Sequence, residues 1–186
     1  MKKLSILPLL LLAQPAFAEE ATPSGLRAEL RAGYQSTDIR SAGFPAFDST
    51  GSGATIGVEL GYDLPLGTAV TIGPFVNYDY NDNRKCLGTT CLGTKGNWQA
   101  GARLGLALDS RAEVYAKAGF SQVKSEITIA SVTGTDHAEG LMGAIGMNYY
   151  VGPKVYVGAE FNYSAPKEGT SSLKRYQGVV TLGTRF

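Results

Sequence analysis

YQGVVTLGTRF, Tyr176 to Phe186, alternates without a break. In an extended strand Tyr176, Gly178, Val180, Leu182, Thr184 and Phe186 share one face. Gln177, Val179, Thr181, Gly183 and Arg185 share the other. The first face is mainly apolar and the second mainly small or polar, the pattern of a strand with a different environment on each side. A strand at a chain end frays unless something ties it down. The expectation is that another strand of the same sheet holds this one.

The same two-residue period recurs upstream. Leu26, Ala28, Leu30, Ala32 and Tyr34 oppose Arg27, Glu29, Arg31 and Gly33. Ile56, Val58, Leu60 and Tyr62 oppose Gly57, Glu59, Gly61 and Asp63, and Trp98 to Leu108 oppose Gln99, Gly101, Arg103, Gly105 and Asp109. Further segments run through 70–80, 113–121, 141–150 and 155–164, making eight in all. Each is about ten residues, the length of a tilted strand that crosses a bilayer. Short turns near Pro65-Leu66-Gly67, Asp109-Ser110-Arg111 and Val151-Gly152-Pro153 alternate with long polar connections at 36–52, 81–95, 126–138 and 165–175. Short and long in alternation predict an all-β fold, an eight-stranded antiparallel up-and-down transmembrane β-barrel. Pro74 removes a ladder donor and predicts a bulge.

Alternation alone also fits a soluble barrel with its apolar face inward. The polar face decides between them, because it is crowded with glycine and with charges of both signs. Arg27, Glu29, Arg31, Glu59, Arg103, Lys117, Glu160 and Arg185 form the expected interior charge network, with Asp63, Asp79 and Asp109 on the same face. The interior of an eight-stranded barrel is only wide enough for side chains, and ions shut inside it must pair. The opposite face has no charge in any strand core, as a lipid-facing wall requires. Tyr34, Tyr62, Tyr78, Tyr80, Trp98, Tyr149, Tyr163, Tyr176 and Phe186 are expected as interfacial girdles.

MKKLSILPLLLLAQPAFA has two lysines, an apolar run and Ala16-Phe17-Ala18 before Glu19, the layout of a secretory signal peptide. The expectation is residues 1–18 as signal and 19–186 as the barrel domain. Removing Lys2 and Lys3 with the signal turns 17 basic and 16 acidic side chains into 15 and 16. Such a balance offers nothing to nucleic acid. Cys86 and Cys91, in RKCLGTTCLGTK, read as a disulfide in an oxidising compartment. No histidine stands near them to complete a metal shell.

VELGYDL (58–64), TIGPFVNYDY (71–80), ARLGLALD (102–109) and VTLGTRF (180–186) resemble the small outer-membrane β-barrels of the opacity and attachment type, often labelled "porin family", which are similar to the barrel of outer membrane protein A. The resemblance spans the mature chain. It implies a bacterial outer-membrane location, periplasmic termini and extracellular loops. It also implies contact with outer-membrane lipid and lipopolysaccharide. Val180, Leu182 and Phe186 match the C-terminal strand signal that such proteins present to the barrel-assembly machinery, and Thr184 departs from it.

Catalytic readings are poor in residues. His137, in TGTDHAEG, has Asp136 and Glu139 beside it. A lipid A deacylase carries Ser two positions after its His, and here that position is Glu139. Glu59 and Glu160 could serve as an acid–base pair, but ion pairing with Arg103 and Lys117 is the preferred reading. Asp79 and Asp82 lack calcium-loop spacing. No cofactor or metal is expected. The functional expectation is a monomeric, non-enzymatic barrel with a structural or surface-interaction role through its loops, including the 81–95 loop and the Phe44-Pro45-Ala46-Phe47 tip. A narrow porin-like channel for small solutes is the alternative, and a lipid A-modifying enzyme the third reading.

Overall fold

The computed structural model describes residues 24–40, 49–87, 90–129, 132–168 and 171–186. Eight strands follow one another: β1 (Gly25–Arg40), β2 (Ser49–Pro65), β3 (Val70–Leu87), β4 (Thr90–Ala107), β5 (Ala112–Ile129), β6 (Val132–Tyr150), β7 (Val155–Glu168) and β8 (Ser171–Arg185). Each pairs antiparallel with its sequence neighbours, and β8 closes on β1 to complete the barrel. The closing register runs from Arg27 opposite Arg185 to Arg40 opposite Ser172. The Phe186 amide donates to the Leu26 carbonyl at 2.9 Å. The last strand therefore has no free edge, and closure is what holds it.

The alternation of the sequence becomes two walls. Leu30, Ile145 and Val180 face outward with 60%, 65% and 64% of their surface exposed, whereas Arg27 and Arg103 inside have 0%. An apolar exterior around an ionised interior is inverted relative to a soluble protein, and it fits a hydrocarbon solvent.

The three short turns stand where the sequence puts them, at one rim with both ends of the barrel; we call this the turn end. The strands are longer than the ten-residue expectation, from 14 residues in β7 to 19 in β6. Much of the expected connections at 36–52, 81–95, 126–138 and 165–175 is strand. These segments turn polar because they leave the membrane-spanning belt, while the backbone ladder continues across the change of solvent. Of the aromatic residues expected at strand ends, Tyr34, Tyr78, Tyr80, Trp98, Tyr163 and Tyr176 consequently lie inside the strands, whereas Tyr62, Tyr149 and Phe186 stand at the turn end. The Phe44–Phe47 tip and the expected signal at residues 1–18 lie outside the described residues.

Pro74 produces no bulge. The β2–β3 ladder lapses between Gly61–Phe75 and Leu64–Ile72 without a change of register, so the missing donor is absorbed as a gap. The irregularities occur higher up, between Asp79 and Asp82 of β3 and between Thr94 and Asn97 of β4. Gly96 sits there with φ 74°, a conformation open to glycine. Its amide donates to Asn81 Oδ1 at 3.1 Å.

Candidate functional site: a filled lumen and a projecting sheet

Among the described residues, six basic side chains (Arg27, Arg31, Arg103, Lys117, Arg175 and Arg185) and six acidic ones (Glu29, Glu59, Asp63, Asp79, Glu113 and Glu160) are buried in the lumen. Nearest the turn end, Asp63 takes Arg103 Nη1 at 3.1 Å and Arg185 Nη2 at 2.8 Å. Beside it Glu113 takes Arg103 Nη2 and Arg185 Nη2, both at 3.0 Å. At mid-depth Glu59 holds Arg27 at 2.8 Å, Arg31 at 2.9 Å and Lys117 at 2.7 Å. Glu160 takes the other side of Arg31 at 2.7 Å and of Lys117 at 2.5 Å, and accepts the Tyr115 hydroxyl at 3.0 Å. Glu29 pairs with Arg27 and accepts the Tyr156 hydroxyl at 2.8 Å. Asp79 accepts from Arg31 Nε at 3.2 Å and Gln177 Nε2 at 3.0 Å.

Pairing makes this interior tolerable. An isolated buried ion carries a desolvation penalty of several kcal/mol, and only close partners with satisfied hydrogen bonds offset it. Towards the opposite rim the lumen is filled by neutral amides. Gln99 Oε1 accepts from Asn77 at 3.0 Å and from Asn162 at 2.8 Å, and Ser121 donates to Asn97 at 2.8 Å. Still nearer that rim Val123, Ala138 and Leu173 are buried.

The glycines of the inner wall make room for this filling. A Cβ on Gly146 would stand 2.4 Å from the Tyr115 ring, and one on Gly183 would stand 2.2 Å from the Tyr156 ring. Gly146 is the cross-strand partner of Tyr115, and Gly183 that of Tyr156. Each large inward ring thus lies over a glycine on the next strand. Phe75 and Met142, buried with Ala144, stand at the two ends of a row whose middle members are Gly101 and Gly119.

The eight charges named from the sequence all lie in this network, and so do Asp63 and Asp79. Asp109 does not. It is exposed in the β4–β5 turn, where its carboxylate accepts the Arg111 and Ala112 amides at 2.7 and 2.8 Å. Those bonds hold its carboxyl below the usual value. Glu113 and Arg175 were missed, Arg175 because the 165–175 stretch read as a connection. Glu59 and Glu160 share Lys117 and Arg31 and are not an isolated acid–base pair. His137 is exposed on β6, opposite Lys124. Cys86 and Cys91 are directly opposed across β3 and β4. Val180, Leu182 and Phe186 are exposed on the outer wall.

Beyond the rim away from the turns the barrel divides. β7 and β8 pair last at Glu168–Ser171, and β1 and β2 at Ile39–Ser49. On the other side β3, β4, β5 and β6 stay paired up to Leu87–Thr90, Thr90–Ile129 and Ile129–Val132. The last β2–β3 pair is Thr55–Asn81, and the last β6–β7 pair is Glu139–Lys167. The wall therefore opens into two four-stranded sheets, β3–β6 and β7–β8–β1–β2; at the β2–β3 seam both run on, as Ser49–Ala54 and Asp82–Leu87, whereas at the β6–β7 seam β6 runs on alone from Ala138 to Val132. Val132 to Ala138 alone would project about 20 Å at the rise of a strand.

A closed barrel with a greasy outer wall, aromatic residues on that wall and an ion-paired interior is a membrane-spanning β-barrel. The chain belongs to the family of the outer membrane protein beta-barrel domain, whose model matches residues 4–186. Its location is the outer membrane. Neisserial surface protein A has a similar structure, with 16% identity and a TM-score of 0.65 over 88% of this chain and 98% of that one. The outer membrane protein OprG of Pseudomonas aeruginosa gives 11% and 0.56 over 91% and 99%. Ail, the attachment invasion locus protein of Yersinia pestis, gives 11% and 0.53 over 86% and 99%. These likenesses concern the fold. No curated protein sequence matches this chain.

Proposed function

We propose that this protein is a non-enzymatic surface-interaction barrel. The membrane-spanning part anchors it, and the sheet that outgrows the barrel is its working surface. One observation carries this reading. The lumen is occupied by an interlocked set of ion pairs, amides and rings, whereas β6, with β5 beside it, continues well past its last pair with β7, where β7 and β8 turn back. A wide aqueous path needs more strands than eight, and opening one here would part carboxylates from buried cations. Fold relatives that include an attachment protein and a surface protein add support of a general kind. His137 stands on the outer surface away from the buried carboxylates, an arrangement that supports no hydrolytic site.

The same reading places the termini in the periplasm and the projecting sheet outside the cell. Residues 1–18 act as the export signal. Val180, Leu182 and Phe186 serve recognition by the assembly machinery, and the monomer contacts lipid and lipopolysaccharide along its outer wall. Cys86 and Cys91 form a disulfide across the β3–β4 hairpin. Directly opposed residues in an antiparallel pair have Cα atoms about 4.5–5.5 Å apart, inside the range a disulfide spans. Chain entropy for so small a ring gives about 2 kcal/mol.

The test combines planar bilayers with whole cells. Purified protein is expected to give no steady conductance. Cells expressing a variant whose β3–β6 extension is shortened to the rim are expected to adhere less to an epithelial layer than cells with the full chain. Steady conductance with unchanged adherence would replace this reading with the channel.

A further inference from the structure

We propose that the lumen binds a small inorganic anion, of the size of chloride, towards the rim away from the turns. Arg175 of β8, Gln35 and Thr37 of β1 and Ser164 of β7 hold it. This site is independent of the surface-interaction reading.

Arg175 is the least compensated cation of the lumen. Among the described residues, Arg27 and Arg31 each touch three carboxylates, and Arg103, Lys117 and Arg185 each touch two. Arg175 touches Asp79 alone, at 3.5 Å, and Asp79 also serves Arg31. Its other contacts are neutral. Nε donates to Gln35 Oε1 at 3.1 Å, and Nη2 donates to Gln177 Oε1 at 2.6 Å. Nη1 is buried without a hydrogen-bond partner. A buried guanidinium with an idle N–H group carries a desolvation cost that a close negative charge offsets.

The idle atoms around it are all donors. Gln35 Nε2, Thr37 Oγ1 and Ser164 Oγ are likewise buried and without partners. Thr37, Arg175 and Ser164 are cross-strand neighbours on β1, β8 and β7. Gln35 stands two residues from Thr37 on the same face of β1. Its amide is oriented by Arg175 Nε, which takes the oxygen and leaves the nitrogen idle. Arg175 Nη1 and Gln35 Nε2 can only donate, and the two hydroxyls can donate as well. Near the turn end the idle buried atoms are of both kinds. Glu29 Oε2 and Asp63 Oδ1 accept there, and Arg27 Nη2 and Arg103 Nε donate. A water suits that end, because it bridges donors to acceptors. Beside Arg175 only the two hydroxyls could take a water's protons, whereas an anion accepts from all four groups.

Enclosure sets the size of the ion. Arg175, Gln35, Thr37 and Ser164 are buried, and Leu173 is buried two residues outward of Arg175 on β8. Pro166 is buried two residues outward of Ser164 on β7. This apolar cap shields the site from bulk water and favours an ion with no tail to accommodate, a halide over an organic acid. The bound ion would tie β7, β8 and β1 together at the outer end of the seam that closes the barrel.

The test compares urea unfolding of the refolded full barrel from vesicles in chloride and in gluconate, an anion too large for the site, at equal ionic strength. Chloride is expected to raise the midpoint. The unfolding constant is expected to fall about tenfold for each tenfold rise in chloride once the site is saturated. Arg175→Gln should remove the chloride dependence, and Lys174→Gln, on the exposed face of the same strand, should keep it. Gln35→Glu supplies the negative charge from within, and it keeps the test open should Arg175→Gln fail to fold. It is expected to remove the chloride dependence with a midpoint in gluconate no lower than that of wild type. Crystals grown in bromide should show an anomalous peak within hydrogen-bond reach of Arg175 Nη1. Equal midpoints of the wild type in the two salts, a chloride effect that survives Gln35→Glu, or a water where the bromide peak is expected would each overturn the proposal. Neither adherence nor conductance is read in these measurements, so their failure leaves the surface role standing.

Discussion

The membrane-spanning belt and the projecting sheet are made by the same strands in opposite senses. In the belt, apolar side chains point outward and ions inward, as with Leu104 against Arg103 and Ile145 against Glu160. In the sheet, the apolar Val123 and Ala138, paired across β5 and β6, are buried on the face that continues the inner wall, while Lys124 and Thr135 are exposed on the outer one. The ladder passes from one region to the other, and the sign of the alternation changes where the surroundings change from lipid to water. Alternation thus reports the strand, and its sign reports the solvent. Tyr78 and Trp98, with ring centroids 4.8 Å apart, and Tyr163 and Tyr176, 5.2 Å apart, lie near that change. Amphipathic rings favour such a boundary.

The largest effects should come from breaking the belt from within. Lys117→Met removes the cation shared by Glu59 and Glu160 and is expected to cost about 3–5 kcal/mol in urea unfolding from vesicles. Arg103→Ala should cost a similar amount, because each variant leaves its two carboxylates one shared arginine, Arg185 for Asp63 and Glu113 and Arg31 for Glu59 and Glu160. A loss in one variant several times that in the other would mean that the network does not share its load this way.

Next comes the belt from outside. Leu104→Arg or Val58→Arg puts a cation at lipid depth and is expected to cost about 2–4 kcal/mol. Thr135→Arg, exposed in the projecting sheet, should fall within about 0.5 kcal/mol of wild type. Heat-modified mobility and urea midpoints read both, and similar losses at all three positions would erase the contrast between the regions. A smaller loss, about 1–3 kcal/mol, is expected for Gly146→Val, whose side chain must displace the Tyr115 ring. Gly51→Val, with open space around it, is the control.

The smallest effect belongs to the turn end. Asp109 has its carboxyl lowered by the Arg111 and Ala112 amides. Its contribution to the turn is therefore present above the unfolded-state value and fades as pH falls through the lowered one. Exchange at the Arg111 and Ala112 amides should quicken across that acid range, and Asp109→Ala should make it fast at every pH. A flat profile in the wild type would remove the cap from the account.

Strand number, closure and the identity of both walls were legible because period two with a strong polarity contrast admits few folds. Strand length was not. The segments at 81–95 and 126–138 lose the belt's apolar outer face and resemble connections, although hydrogen bonding carries them on as strand. That same error hid Arg175. Glu113 stands at the start of β5, where a charge beside a turn looks solvated. Tyr115 and Tyr156 were on the polar face without an evident reason to be there. The signal was the glycine at each ring's cross-strand partner, Gly146 and Gly183, and it becomes readable only once the register is known.

The face assignment can be tested directly with nitroxide labels placed one at a time at Leu60, Leu104, Lys124 and Thr135 in the refolded barrel in lipid vesicles. Labels at Leu60 and Leu104 are expected to relax with oxygen, which dissolves in the hydrocarbon, and to ignore a water-soluble nickel chelate. Labels at Lys124 and Thr135 are expected to respond to the chelate. Free access of the chelate to Leu60 and Leu104 would contradict the claim that the apolar wall meets lipid while the ions are enclosed.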